Sequence, residues 1–143
     1  MKQEPVFLDT DVILDLLLER DPYFEPAVSL FLKIQNQQVS AFTSPVVIAN
    51  LFYILNRHLG RKAAVQSLMK LKTLVTVIDC GERVIMQALS SDFKDFEDAI
   101  QYYTALEGGV LTLITRNVKD YKTAALAIMT PLEYISSRTE NTP

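Results

Sequence analysis

The sequence predicts an α/β fold in which helices cover both faces of a central, mostly parallel sheet. Short β-branched and apolar runs alternate along the chain with longer segments whose apolar residues recur at helical spacing. This alternation is typical of parallel strands joined by helical crossovers. The 143 residues are 49% hydrophobic, show no repeat of fixed period and contain no linker rich in Pro or Gly. We therefore expect one domain over residues 1–136 and a polar tail over residues 137–143.

The first half of the chain predicts two strands and four helices. Asp21 and Pro22 interrupt the first helical pattern, because proline cannot continue a helix. Ser44 followed by Pro45 is a typical helix start, with an N-cap hydroxyl and proline at the first helical position. Gly60 ends that helix. The predicted strands are Val6–Leu8 and Val39–Thr43, and the predicted helices are Val12–Arg20, Pro26–Gln37, Val46–Leu59 and Arg61–Lys72.

The second half predicts three more strands, three more helices and one turn. Asp95 opens the longest of these helices, and Gly108 with Gly109 ends it. The strand segments are short and apolar or β-branched, as is typical of buried strands. The predicted strands are Leu74–Ile78, Val110–Ile114 and Ala125–Met129; the predicted helices are Glu82–Leu89, Asp95–Glu107 and Pro131–Ser136, with a turn or short helix at Asn117–Tyr121.

Charge and the rare residue types exclude several classes of protein. The formal net charge is −3, whereas a protein that binds nucleic acid through charge alone is normally basic. Contact with RNA would therefore need a local basic patch or a bound metal. A single histidine and a single cysteine exclude a zinc site built from His and Cys. No apolar run has the length of a transmembrane helix, and the N-terminus lacks the layout of a signal peptide, so we expect a cytoplasmic protein.

Acidic residues recur where predicted strands end or helices begin. Asp9 and Asp11 directly follow the first strand, Asp95 and Asp98 open a later helix, and Thr115–Tyr121 leaves another strand. Ligands of open α/β sheets bind beyond the carboxyl ends of the strands, and Mg²⁺ binds one or two carboxylates together with water and phosphate oxygens. Each cluster alone also fits helix capping or turn formation. Their joint placement predicts a site for a divalent metal.

These residues resemble the PIN-domain family, in particular its single-domain bacterial toxins of VapC type. The resemblance implies a flavodoxin-like, three-layer α/β/α fold and a ribonuclease that depends on Mg²⁺ or Mn²⁺. It also implies a toxin of a toxin–antitoxin pair, so that the expected partners are an RNA substrate, an antitoxin protein and a second copy of the chain in a homodimer. The resemblance is carried, in order, by Phe7–Asp15, Asp95–Ala105, Leu113–Tyr121 and the closing segment Met129–Ile135.

The resemblance also assigns roles to individual residues. Asp9 corresponds to the first metal-binding acid of the family and Asp98 to the third. The fourth position falls within the segment after the predicted strand that ends at Ile114, where Asn117 and Asp120 are both candidates. Thr115 would contribute a hydroxyl near the metal-bound water.

One position departs from the family pattern. The second acid is usually a glutamate in the helix after the second strand, and the matching residue is Asn50. Asparagine offers a neutral oxygen but no negative charge, so metal affinity should be weaker unless another acid compensates. Asp11 and Asp95 are the candidates for that compensation.

Basic residues near the expected site are candidates for contact with the phosphates of RNA. Arg116, Lys119 and Lys122 follow the strand that carries Thr115. Arg61 and Lys62 belong to a basic stretch around Gly60 and are further candidates, although such runs are more often solvated helix faces.

Two other functions are consistent with parts of the sequence. A PIN-like module that binds RNA or protein without cleaving it would explain Asn50. A phosphohydrolase of the haloacid dehalogenase type is suggested by Asp9-Thr10-Asp11 after a strand, but Ile13 and the short chain fit that class poorly.

Overall fold

A computed structural model describes residues 4–121 and 125–139. Its centre is a five-stranded sheet in the order β3-β2-β1-β4-β5, and every pair of neighbouring strands is parallel. This confirms the predicted α/β fold with a parallel sheet. The strands are β1 (Glu4–Leu8), β2 (Val39–Thr43), β3 (Val75–Val77), β4 (Thr112–Ile114) and β5 (Ala127–Met129).

Seven helices connect or follow these strands in the described part of the chain, and a short 3₁₀ turn at Val118–Asp120 lies between β4 and β5. No helix in residues 4–121 and 125–139 has both the length and the hydropathy needed to cross a bilayer. The helices are α1 (Thr10–Leu17), α2 (Phe24–Gln35), α3 (Pro45–Leu59), α4 (Arg61–Lys72), α5 (Glu82–Leu89), α6 (Phe96–Glu107) and α7 (Pro131–Thr139).

The central strand β1 separates two hydrophobic layers. Successive strand residues point to opposite faces, so Val6 and Leu8 pack on one side with residues of α1 to α4 and of α7. Phe7 points to the other side and packs with Tyr102 of α6 and Leu113 of β4. Val6, Phe7 and Leu8 are fully buried, as expected for a parallel strand covered on both faces. The chain therefore forms the predicted three-layer arrangement.

The strand order reverses between β1 and β4. From β1 the chain proceeds outward through β2 to β3 and then returns to place β4 on the opposite side of β1. Leu8 pairs with Ile114, so the residues that follow them, Asp9 and Thr115, leave the sheet side by side. A reversal of this kind opens a crevice at the carboxyl edge, which is where parallel α/β folds bind ligands.

The last helix is longer than the sequence predicted. The expected helical turn ended at Ser136, whereas α7 continues through Thr139. A contact distant in sequence accounts for the extension, because Arg138 Nε donates to the Glu4 carboxylate of β1 at 3.1 Å. Ser137 Oγ also donates to the carbonyl of Tyr134 at 2.8 Å. Residues 140–143 of the predicted tail lie outside the described residues.

The first helix is shorter than predicted and starts earlier. α1 begins at Thr10 and ends at Leu17, where the sequence predicted Val12–Arg20. The chain turns at this point because Arg20 folds back, and its Nε donates to the Asp15 carboxylate at 3.0 Å.

Candidate metal-binding active site

Asp9 lies at the point where β1 ends and α1 begins. Its carboxylate accepts hydrogen bonds from the backbone N–H of Thr10 at 2.8 Å, from Thr115 Oγ1 at 2.9 Å and from the Tyr121 hydroxyl at 3.0 Å. Burial raises the pKa of Asp9 and outweighs these hydrogen bonds, which lower it. Asp9 therefore serves as the N-cap of α1 and also faces the crevice.

Asp98 faces Asp9 from the first turn of α6. Asp95 is the N-cap of this helix and accepts a hydrogen bond from the backbone N–H of Asp98 at 3.1 Å. Burial, and then the negative charges of Asp9, Asp95 and Asp120, raise the pKa of Asp98 to about 7. An acid in this state is half protonated near neutral pH, because full ionisation would crowd several negative charges together.

Tyr121 links the two carboxylates. Its hydroxyl lies 3.0 Å from Asp9 Oδ2 and 3.4 Å from Asp98 Oδ1, and one hydroxyl proton cannot satisfy both acceptors at once. Burial and the two carboxylates raise the pKa of Tyr121, so the hydroxyl stays protonated. The sequence alone does not assign Tyr121 to the site, because a tyrosine after a turn is usually part of the core.

The two candidates for the fourth position have different surroundings. Asn117 donates from Nδ2 to Asp11 Oδ2 at 3.3 Å, and its backbone N–H donates to Thr115 Oγ1 at 3.1 Å. The carboxylate of Asp120 lies close enough to Asp98 for its charge to raise the pKa of that acid. Asn117 is therefore turned toward Asp11, while the charge of Asp120 acts on Asp98.

A cavity of about 410 Å³ brings the predicted acids together. Its lining includes residues that follow β1, residues of the first turn of α6 and residues that follow β4. This agrees with the rule that parallel α/β folds bind ligands beyond the carboxyl ends of their strands. Thr115 is fully buried beneath it. The carboxylates and amides that line the cavity are Asp9, Asp11, Asn50, Asp95, Glu97, Asp98, Gln101, Asn117 and Asp120.

Asn50 lines this cavity from α3 and has an acidic partner. Its Nδ2 donates to Glu97 Oε2 at 2.9 Å. Glu97 was missed in the sequence analysis because an acid in the first turn of a helix is usually explained by the helix dipole. Its position next to Asp98 is the one signal in the sequence that could have identified it.

The basic candidates have separate locations. Lys119 lines a second cavity of about 690 Å³ that shares Asp95, Asp98 and Asp120 with the first. Arg61 lies on α4 with its guanidinium 5.6 Å from the ring centre of Phe52, and neither Arg61 nor Lys62 lines the two cavities. Lys122 lies outside the described residues. The roles of these residues in RNA binding stay predictions.

Arg116 has structural partners close to the site. Its guanidinium donates to the Asp15 carboxylate, with Nε at 3.2 Å, and lies 3.9 Å from the ring centre of Tyr23. Arg20 donates to the same carboxylate at 3.0 Å, and the Asp15 side chain is only 3% exposed. This buried acid, which the sequence analysis did not single out, fixes Arg116 and with it the start of the segment that follows β4.

The donor set fits a hard divalent cation. In residues 4–121 and 125–139, no three carboxylate, imidazole or thiolate groups stand together as a ready-made metal cage. Mg²⁺ needs only one or two protein carboxylates, because water and phosphate oxygens complete its coordination. Asp9 and Asp98 supply two carboxylates that both lie within 3.4 Å of the Tyr121 hydroxyl, and their mutual repulsion is what a bound cation would relieve. Oxygen donors of this kind suit Mg²⁺ and Mn²⁺.

The raised pKa of Asp98 predicts how the stability of the metal-free protein depends on pH. Asp98 has an ordinary pKa of 3.8 in the unfolded state and a pKa of about 7 in the folded state. Between these two pH values, Asp98 keeps its proton in the folded state and loses it in the unfolded state. The contribution of Asp98 to the free energy of unfolding should therefore be fully present below pH 3.8 and be lost as the pH rises through about 7. Urea unfolding in EDTA at several pH values measures this loss.

The matched comparison is between Asp98→Asn and Asp79→Asn. Asp79 is exposed and lines neither cavity. We expect Asp98→Asn to flatten the fall in stability between pH 4 and pH 7, and Asp79→Asn to leave it unchanged. An equal fall in parent and Asp98→Asn would contradict the raised pKa.

Comparisons with known proteins agree with the fold. A family model for the PIN domain matches residues 5–119, which include every residue discussed at the cavity except Asp120 and Tyr121. The chain is 26% identical over 139 residues to Ribonuclease VapC1 of Aquifex aeolicus (strain VF5), covering 94% of this chain and 95% of that protein.

Two solved structures share the fold. Mycobacterium tuberculosis VapC20, a toxin that cleaves the sarcin-ricin loop, superposes with a TM-score of 0.61 at 23% identity, covering 76% of this chain and 86% of that chain. A chain of a toxin–antitoxin complex from Klebsiella pneumoniae superposes with a TM-score of 0.65 at 19% identity, covering 88% and 97%. At these identities the similarity shows the fold alone.

Proposed function

This chain belongs to the PIN-domain family, and from that premise we propose that it is an endoribonuclease that depends on Mg²⁺ or Mn²⁺. The observation that carries the proposal is the meeting of the Asp9 and Asp98 carboxylates, through the Tyr121 hydroxyl, in the crevice where the strand order reverses. The similarity to Ribonuclease VapC1 supports RNA as the substrate class. Family membership favours neither the non-cleaving module nor the haloacid dehalogenase type of phosphohydrolase.

Each residue of the site has a proposed task. Asp9 and Asp98 hold the metal, and the hydroxyl of Thr115 fixes the orientation of the Asp9 carboxylate. Asp120 is the better candidate for the fourth position, because its charge acts on Asp98, whereas the amide of Asn117 is bound to a neighbouring acid. A divalent cation in such a site supplies Lewis-acid stabilisation of charge on the scissile phosphate and lowers the pKa of the attacking water.

Binding of RNA by this acidic protein requires local positive charge. We propose that Lys119 contacts a phosphate, because it lines the larger cavity that adjoins Asp98 and Asp120. Arg116 and Lys122 belong to the same segment of the sequence and are further proposed contacts, as are Arg61 and Lys62 on the basic stretch.

The same proposal includes partners. The fold is shared with a chain of the Klebsiella pneumoniae toxin–antitoxin complex, which supports a toxin that a protein antitoxin holds inactive. A homodimer and a cytoplasmic location complete the proposed setting.

Incubation of the purified protein with end-labelled RNA tests the proposed activity. We expect fragments to accumulate in Mg²⁺ or Mn²⁺, to be absent in EDTA, and to reappear when Mn²⁺ is added in excess. Asp98→Asn should cleave at least about 100-fold more slowly, in line with the loss of one group that stabilises the transition state. Asp79→Asn should cleave as the parent does.

Either of two results would contradict the proposed activity. One is cleavage that continues at full rate in EDTA, and the other is an Asp98→Asn protein that is as active as the parent. RNA that binds but stays intact with every metal would favour the non-cleaving module instead.

A further inference from the structure

Two walls of the proposed active site are joined by one hydrogen bond. Asn50 lies on α3 and Glu97 in the first turn of α6, and the two helices pack against each other. Asn50 Nδ2 lies 2.9 Å from Glu97 Oε2, although the residues are 47 positions apart in sequence. Both side chains line the cavity that contains Asp9 and Asp98.

The chemistry of the two groups fixes the direction of this hydrogen bond. A carboxylate can only accept, so the asparagine must present its NH₂ group to Glu97. A glutamate at position 50 could not donate and would face Glu97 as a second negative charge. The neutral residue at position 50 is therefore what allows a carboxylate at position 97 to be held at the cavity.

We infer that Glu97 supplies the carboxylate that Asn50 cannot supply, and that Asn50 is the positioning residue that holds it there. Together, Asn50 and Glu97 carry one negative charge where α3 and α6 line the cavity, and this charge belongs to Glu97 of α6. Glu97 thereby becomes a further acid of the same proposed metal site, so its role depends on the proposed function.

The other acids that could compensate have different partners. Asp11 accepts hydrogen bonds from Arg20 at 3.3 Å and from Asn117 at 3.3 Å, and the arginine offsets its charge. Asp95 is occupied as the N-cap of α6. Glu97 is the acid whose carboxylate contacts Asn50 itself.

If Glu97 only stabilised its helix through a favourable interaction with the helix dipole, it would have the same role as Glu25. Both are the second residue of a twelve-residue helix and belong to its first turn. Glu25 is exposed on α2, which packs with α1, β2 and α7 on the opposite layer from α6. Glu25→Gln is therefore a matched control for Glu97→Gln.

Calorimetric titration with Mn²⁺ tests the inference on five proteins: the parent, Glu97→Gln, the double variant Asn50→Glu/Glu97→Gln, Glu25→Gln, and Asp9→Asn as the reference. We expect Glu97→Gln to weaken Mn²⁺ affinity about 10-fold or more, the range typical of groups that orient or support metal ligands. Glu25→Gln should bind as the parent does. The double variant should recover most of the affinity, because the amide at position 97 can donate to the carboxylate at position 50. RNA cleavage rates in excess Mn²⁺ should follow the same order.

The outcomes separate this inference from the proposed function. If Glu97→Gln binds Mn²⁺ as well as Glu25→Gln does, or if the double variant is no better than Glu97→Gln, the role of Glu97 is overturned. Asp9→Asn is the reference for the metal site itself. If this variant binds Mn²⁺ as well as the parent does, the proposed metal site is overturned, whatever the result for Glu97. Thermal unfolding in EDTA confirms that each variant is folded, which the exposed position of the Asn50–Glu97 contact favours.

Discussion

Asp9→Asn is expected to slow RNA cleavage by at least about 100-fold while the protein stays folded. Asparagine caps helices as well as aspartate does, so the hydrogen bond from the Thr10 N–H to position 9 can persist. The negative charge disappears, and with it the carboxylate that accepts from Thr115 and Tyr121. The substitution thus removes the proposed metal-binding carboxylate and retains the cap.

Initial rates with end-labelled RNA in Mn²⁺ measure this effect, and Asp79→Asn is the control because it makes the same change at an exposed acid. Comparable thermal unfolding of both variants in EDTA would show that the fold is retained. An Asp9→Asn protein with more than about a tenth of the parental rate would mean that Asp9 acts only as the cap of α1.

Asp15→Asn is expected to lower the free energy of unfolding by about 3 kcal/mol, although Asp15 is not a proposed metal ligand. Its side chain is 3% exposed and accepts from Arg20 at 3.0 Å and from Arg116 at 3.2 Å. An amide at this position cannot balance either guanidinium, and its NH₂ group is a donor among donors. This decrease in the free energy of unfolding is at the lower end of the range for breaking a buried ion pair, because both arginines keep some contact with solvent.

Urea unfolding at neutral pH measures this loss, and Glu107→Gln provides a control. Glu107 pairs with Arg83 at 3.8 Å, and the two side chains are 42% and 79% exposed. Breaking such a surface pair should cost less than about 1 kcal/mol. If Asp15→Asn loses no more stability than Glu107→Gln, the buried acid does not organise the segment that carries Arg116.

Much of the fold could be predicted because its signals are local. Ser44 accepts a hydrogen bond from the backbone N–H of Val47 at 3.1 Å, as the N-cap signal predicted, and Gly60 ends the same helix. The end of α7 could not be predicted, because Arg138 meets Glu4 across 134 residues. Contacts of that range leave no periodic pattern in the sequence.

The candidate site could be predicted in part for the same reason. Asp9 and Asp98 stand next to a strand end and a helix start, so the carboxyl-edge rule was enough to place them together. Tyr121 and Glu97 have local patterns that are explained equally well by packing and by the helix dipole. Their partners lie on other elements, and only the folded chain reveals them.

Titration of Mn²⁺ into the metal-free parent and into Asp9→Asn, followed by calorimetry near pH 7, tests the central claim most directly. The carboxylates at the crevice are expected to bind Mn²⁺ in the parent, with release of protons because the pKa of Asp98 is about 7 before the metal binds. In Asp9→Asn the binding should be lost. Equal Mn²⁺ binding by both proteins would contradict a metal site built on Asp9.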